Sequence, residues 1–250
     1  MNTNSNAYTV IYTTLVVVVV AAVLAFTAMK LKPSQEANAK AETLRQMMSA
    51  AQIKPTDELY ATNNAGVLQL YADNIEKAYT IGLDGQENGT LSTEKASIEL
   101  VDNLKPQNKA IKAGGEATLP VYGAGLWGPV WGYIAFQPDG KTIAGAYFDH
   151  ESETPGLGAK IKDEAWFREK FIGKTVAFGG ETLFNLGKNA EEAGATNAVD
   201  AISGATMTSK GLNEALNVWF KAYESHLGKD AACCGHCAEE ENTNTNEEEE

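Results

Sequence analysis

Seven consecutive residues, Asp200-Ala-Ile-Ser-Gly-Ala-Thr206, bring a hydroxyl to the start of an amphipathic segment. From Leu212 onward, apolar residues recur at Ala215, Leu216, Trp219, Ala222, Tyr223 and Leu227, the three-and-four spacing that lays one helix face on a core. Thr208 and Ser209 supply hydroxyls that favour a helix start, so the helix is expected to begin there with Thr206 just outside it. Unpaired backbone N–H groups and the positive end of the helix dipole then face whatever lies ahead. That arrangement suits a phosphate group. Gly204 and Ala205 leave the backbone uncovered, so a bulky anion meets no side chain on its approach. A plain strand-to-helix turn with a capping hydroxyl has the same composition, and this stretch alone does not separate the two.

A second stretch has residue types suited to a flat, apolar ligand. In His150-Glu-Ser-Glu-Thr-Pro-Gly-Leu-Gly-Ala159, Pro155 sets a bend, Gly156 and Gly158 let backbone come close, and Leu157 offers an apolar contact. Glu153 and Thr154 can hydrogen-bond the polar edge of a ring; the alternative is a tight surface turn. Gly123-Ala-Gly-Leu-Trp-Gly128 spells G-x-G-x-x-G, but Pro129 and an aromatic strand follow where a dinucleotide fingerprint needs a helix, so a glycine-rich hairpin is expected. Trp127 there is either a wall beside a ligand or a core aromatic. Lys188, in a polar loop, is a cation within reach of a phosphate or ring, or simply solvated.

Asp200, Ser203, Gly204, Ala205 and Thr206 stand in the pattern Asp-x-x-Ser/Thr-Gly-Ala-Thr, which resembles the flavinylation signature of the FMN-binding domain family. That family includes NqrC, of the Na⁺-translocating NADH:quinone oxidoreductase, and RnfG, of the related Rnf complex. Average residue usage makes such a match expected roughly once in several hundred thousand windows. The NqrC family also has Gly-x-Gly-Leu-Trp-Gly and His-x-Glu-Thr-Pro-Gly-Leu-Gly stretches, and this chain carries one additional residue between His150 and Glu153. The resemblance covers roughly residues 5–227. It implies FMN attached covalently to Thr206 by a phosphoester bond that a flavin transferase of the ApbE type makes. Asp200, Ser203, Gly204, Ala205, Met207, Thr208, Glu153, Thr154, Leu157, Trp127 and Lys188 are then the candidate residues around the cofactor. It further implies an electron-transfer subunit that passes electrons towards quinone in a complex exporting Na⁺. The implied partners are the membrane proteins NqrB, NqrD and NqrE and the NADH-oxidising NqrF. A protein of the RnfG type, or an anchored binding module without flavin, are the competing functions; Gly-Leu-Trp-Gly before the aromatic strand favours the NqrC type.

The elements that must hold these stretches are those of an α+β fold: a twisted, mainly antiparallel sheet with helices packed on it, bringing the Thr206 turn and the Thr154–Leu157 loop to one crevice. Strands are expected at Thr118–Tyr122, Val130–Phe136 and Thr142–Phe148, with a turn at Asp139-Gly140, and again at Thr175–Phe178 and Thr182–Leu186. Helices are expected at Pro33–Ala51, Val67–Tyr79 and Asp163–Ile172, the last capped by Asp163 with Trp166, Phe167 and Phe171 turned inward; turns are expected over Gly82–Gly89.

Val10 to Met29 are twenty residues without a charge, about 30 Å as a helix, which reads as a membrane span. No Lys or Arg precedes it and no Ala-x-Ala follows, which argues against a cleaved signal peptide. Lys30 and Lys32 on its far side put the following residues in the cytoplasm by the positive-inside rule; the resemblance implies a single-pass protein of the bacterial inner membrane with its flavin domain in the periplasm, and that is the expectation adopted. The expected organisation is a tail (1–8), the transmembrane helix (9–29), a helical linker (30–60), the FMN-binding domain (61–228, core 117–223) and a disordered acidic tail (229–250).

The net charge of −13 speaks against nucleic acid as a partner, and seven of those charges are the glutamates at 239–241 and 247–250. All three cysteines, Cys233, Cys234 and Cys237, lie beside His236 in that tail, where no fold holds four zinc ligands, so no metal site is expected. No Gly-x-Ser-x-Gly elbow, P-loop or His-Glu-x-x-His is present, which removes the common hydrolase classes.

Overall fold

The structure, a computed structural model, describes residues 6–53, 63–75, 77–81, 87–91, 109–113, 116–191 and 194–236. The chain divides into two compact units, Met1–Glu42 and Thr43–Glu250.

The first unit is most of helix α1 (Asn6–Ala50), whose most apolar 18 residues have a mean hydropathy of 2.6 and are not buried by the rest of the chain. Such a helix is long and apolar enough to cross a bilayer. Two of its threonines hide their hydroxyls on the helix itself: Thr13 Oγ1 donates to the Thr9 carbonyl (2.9 Å) and Thr27 Oγ1 to that of Val23 (2.8 Å). The sequence reading starts a new helix at Pro33, yet α1 runs through it. A single proline forfeits one backbone bond and no second breaker stands beside it.

In the second unit, α2 (Asn64–Asn74) begins where Asn63 Oδ1 accepts from the Ala65 N–H (3.1 Å) and buries Val67 and Tyr71. It stops short of the expected Tyr79. Residues 77–81 instead form β1 (Lys77–Ile81), because Ala78 and Tyr79 find partners in β2 (Glu87–Leu91) and β3 (Lys109–Ala113). Of the expected Gly82–Gly89 turns, 82–86 lie outside the described residues and 87–89 belong to β2. With β4 (Glu116–Ala124), β5 (Pro129–Phe136) and β6 (Ile143–His150) these strands make a wholly antiparallel sheet in the order β2-β1-β3-β4-β5-β6.

Alternation divides the residues of β4 to β6 between two faces. Leu119, Val121, Val130, Ile134, Phe136 and Phe148 join one apolar core. On the other face Trp131 and Asp149 stand opposite each other in register, and Gln46, from the end of α1, meets both: its Nε2 donates to Asp149 Oδ2 (2.8 Å) and its Oε1 accepts from Trp131 Nε1 (3.3 Å). Helices α3 (Lys160–Asp163) and α4 (Ala165–Glu169) follow β6. Phe167 and Phe171 are buried as expected. Asp163 ends α3 rather than capping a helix, and Glu164 in front of α4 makes no capping bond. Trp166 is 42% exposed, edge-on to Phe167 with Lys170 Nζ 5.7 Å above its ring.

Of the strands expected at Thr175–Phe178 and Thr182–Leu186, the first is reduced to one isolated bridge from Thr175 to Thr142, and the end of the second belongs to β7 (Asn185–Gly187), which pairs in parallel with β8 (Ala198–Asp200). Helix α5 (Thr206–His236) crosses the sheet with Leu212, Ala215, Leu216, Phe220, Tyr223 and Leu227 buried; Ala222 is exposed, and Phe220 takes the inward place beside Tyr223. The helix runs past residue 229, where the acidic tail was expected to begin, and residues 237–250, Cys237 among them, lie outside the described residues. Asn217 Oδ1 accepts from the Leu183 and Phe184 N–H groups (both 3.1 Å), and Asn213 Oδ1 from that of Leu186 (2.7 Å), fastening α5 to the β7 segment.

Phe220 packs edge-on against Phe136 and Phe184 at centroid distances of 5.7 and 6.0 Å. Phe220→Ala is expected to lower stability by about 3–5 kcal/mol, read as a fall in the urea midpoint of the detergent-solubilised protein.

Candidate functional site: a crevice at the start of α5

Ala205 N donates to the Ile202 carbonyl (3.0 Å), closing a turn in which Gly204 has φ +81°, a conformation that favours glycine. Thr206 is therefore the first residue of α5, two positions earlier than Thr208. Ser209 caps no N–H of the helix; its Oγ accepts instead from the N–H of Ile202, which precedes it (3.3 Å). The first backbone bond of the helix here is Ser209 N to the Ala205 carbonyl (2.9 Å), so the N–H groups of Thr206, Met207 and Thr208 point out of the helix end.

The 154–159 loop comes against this end. Leu157 N and Ala159 N both donate to the Thr154 carbonyl (3.1 and 3.2 Å), and Gly156 takes φ +76°. A crevice of about 180 Å³ lies between the two segments, lined by Leu126, Glu153, Thr154, Leu157, Gly158 and Gly204 to Thr208. Thr206 is exposed in it. So are the apolar side chains of Leu126, Leu157 and Met207.

Four sequence candidates fall elsewhere. Asp200 Oδ1 accepts from the Glu191 N–H (3.1 Å) and its Oδ2 lies 3.8 Å from Lys170 Nζ, in an ion network that also joins Lys170 to Glu191 (3.2 Å). Ser203 and Lys188 are exposed outside the lining. Trp127 has its side chain 67% exposed and outside the lining, so it is not a core aromatic; its neighbour Leu126 lines the crevice instead. Among the described residues, no three His, Cys, Asp or Glu side chains gather as metal ligands.

Glu153 is 5% exposed. Its Oε1 accepts from the Trp127 N–H (2.9 Å) and its Oε2 from the Thr208 hydroxyl (2.6 Å). Burial pushes its pKa up, but the hydrogen bonds from Thr208, Trp127 and Leu126, with His150 nearby, outweigh that and hold the carboxyl below the usual Glu range. The Glu153–Thr208 pairing, between residues 55 positions apart, has no local signal in the sequence.

The profile of the FMN-binding domain family matches residues 125–221, which contain every residue of the crevice. Fold and site thus define an FMN-binding domain on a chain with one membrane-length helix among its described residues. NqrC of Pasteurella multocida, a subunit of the Na⁺-translocating NADH-quinone reductase, is 31% identical over 234 residues, 83% of this chain and 87% of that protein. NqrC of Neisseria meningitidis is 41% identical over 118 residues, 46% of this chain and 45% of that relative, so this alignment spans less than half of its length. The crystal structure of NqrC from Parabacteroides distasonis superposes with a TM-score of 0.63 at 28% identity, over 79% of this chain and 96% of that one. The chain belongs to the NqrC family of the Na⁺-translocating NADH-quinone reductase.

The residues present fit a flavin nucleotide. Three outward N–H groups and an exposed hydroxyl at Thr206 suit a phosphate, and Leu126, Leu157 and Met207 suit an apolar ring.

The lowered pKa of Glu153 fixes the sign of one pH effect. Its stabilising contribution is present above the ordinary Glu value of about 4.3 and is lost as pH falls through the lowered folded value. Thermal melts from pH 6 to pH 3 are expected to show a smaller acid loss of melting temperature in Glu153→Gln than in the native protein.

Proposed function

We propose that this chain is the membrane-anchored electron-transfer subunit of a Na⁺-translocating NADH:quinone reductase and carries FMN as a phosphoester on Thr206. The observation that carries the reading is the exposed Thr206 in the first turn of α5, its neighbouring N–H groups facing a crevice with apolar walls. Bound there, FMN supplies one- and two-electron redox chemistry. The protein's own part is to hold, orient and shield.

The lining contains no lysine or arginine. A phosphate in it is countered by backbone N–H groups and the helix dipole alone, interactions of about 0.3–1 kcal/mol each at an exposed site. That is weak retention for a free nucleotide, and an ester at Thr206 removes the need for a stronger one. The crevice is also smaller than the roughly 300–1,000 Å³ of a site that encloses a small molecule, which leaves part of a flavin uncovered for exchange with a partner.

In this reading residues 9–29 span the inner membrane once, 30–60 lead away from it, and the domain of 61–228 stands in the periplasm. Its partners are the membrane proteins NqrB, NqrD and NqrE, the NADH-oxidising NqrF and an ApbE-like flavin transferase. Electrons pass on towards quinone, coupled to Na⁺ export.

Intact mass of the full chain coexpressed with a flavin transferase tests the assignment. The native protein is expected to gain the mass of FMN less water on the Thr206 peptide, and Thr206→Val to gain nothing. An unmodified native protein, in a host that flavinylates a control, would sink the covalent reading.

A further inference from the structure

Glu153 presents itself in the sequence as a group for the polar edge of a ring, but its carboxylate is already engaged. Oε1 holds the Trp127 N–H and Oε2 the Thr208 hydroxyl, while Glu153's own N–H donates to His150 Nδ1 (3.1 Å). The surrounding backbone is cut to admit it: a Cβ on Gly125 would strike Oε1, and one on Gly158 would strike both Oε2 and Thr208 Oγ1. Ser152 Oγ adds a tie to the Trp127 carbonyl (3.2 Å). Three segments separated in the chain, the hairpin tip at 125–128, the 153–158 loop and the first turn of α5, therefore meet on one buried side chain.

We propose that Glu153 is a positioning residue whose carboxylate clasps these three segments, so that flavin loading on Thr206 depends on Glu153 through Thr208 and not through contact with the flavin. The proposal rests on the assignment of Thr206 above. The first turn of a helix is where its backbone is least constrained, and Thr208 is two residues from Thr206 within it. Hydrogen bonds to an ionised carboxylate are roughly twice as strong as neutral ones, and a negative group near a helix N-terminus is favoured. A glutamine keeps the shape but turns an amide N–H₂ on one of the two donors. In loading, an O–P bond forms at Thr206 Oγ of a flavin nucleotide donor, the bond from that phosphorus to its leaving group breaks, and the leaving group departs with the hydroxyl proton. The clasp takes no part in those bonds; it holds the hydroxyl where they form.

A double-mutant cycle on the full-length protein tests this, with Glu153→Gln, Thr208→Val, the pair together, and Thr208→Ser as the conservative variant. Two readouts are taken: the initial rate at which transferase adds FMN mass to Thr206, and hydrogen exchange of peptides covering 125–128 and 154–158 in flavin-free protein. Each disruptive single change is expected to slow loading by about tenfold or more. The double is expected to be no slower than the slower single, Thr208→Ser to load near the native rate, and exchange in both peptides to quicken before any flavin is present. Loading slowed by Glu153→Gln but untouched by Thr208→Val, or single effects that multiply in the double, would overturn the clasp. If the native protein takes no flavin at all, the assignment of Thr206 fails separately. Exchange then decides the clasp alone, and unchanged exchange at 125–128 in Thr208→Val defeats it. Thr208→Val leaves Glu153 in place, so it keeps the test open should Glu153→Gln not fold.

Discussion

The crevice depends on how closely α5 lies against β4. Gly211 of the helix sits on the carbonyl of Ala124, and Gly123 of the strand on the Cβ of Ala215, so that a side chain at either glycine would strike its neighbour. This contact joins the early turns of α5 to the end of β4, just before the hairpin of Leu126 and Trp127. Trp219 Nε1 on the Tyr122 carbonyl (2.7 Å) and Tyr223 Oη on that of Pro120 (2.7 Å) repeat the attachment one and two turns further along. The helix start is thereby held beside the hairpin tip by packing that begins well outside the crevice. The outward N–H groups of residues 206–208 face a prepared wall rather than open water.

Charge is used sparingly at this site. The one ionisable group in the lining is Glu153, kept ionised by donors from two segments. Its negative charge argues against a crevice evolved to attract a free phosphate by electrostatics. Cations are spent elsewhere, as in the Lys170 link to Glu191 and Asp200, which braces the approach to the Gly204 turn. Asp200 therefore belongs to the motif as a support of the turn's entry, and nothing in its contacts reaches the crevice.

Much of this was legible in the chain. The strands β4 to β6 are aromatic and aliphatic runs that sit between turn signals, and the stripe on α5 has an unambiguous period, so both follow from pattern. The start of α5 was misread by two residues because Thr208 and Ser209 look like caps, whereas their hydroxyls bond to Glu153 and to the Ile202 N–H. Strands β1 and β8 escaped for a different reason: Lys77–Ile81 continues an apolar spacing that also suits a helix, and Ala198–Asp200 is three residues long with its partner β7 about a dozen residues back. Lys188 is a candidate by residue type, and Trp127 by its place in the Gly-Leu-Trp-Gly stretch. Type does not tell direction, and the hairpin turns its leucine, not its tryptophan, to the crevice.

A shallow crevice, a lining without lysine or arginine among the described residues, and an exposed hydroxyl make one consistent arrangement. A noncovalent flavin site gains affinity by enclosing the ring and pairing the phosphate with arginine or lysine, and the first of these buries the group that must exchange electrons. With the ester proposed above, the grip is concentrated at one atom, Thr206 Oγ, in the first turn of a long helix whose far side is fixed to the sheet. On that proposal the apolar lining residues Leu126 and Leu157 need only orient a group that cannot leave. On that division of labour, substitutions of the apolar walls act on orientation while retention stays with Thr206, and the precision of the site falls to the backbone turn and to the contacts that hold it.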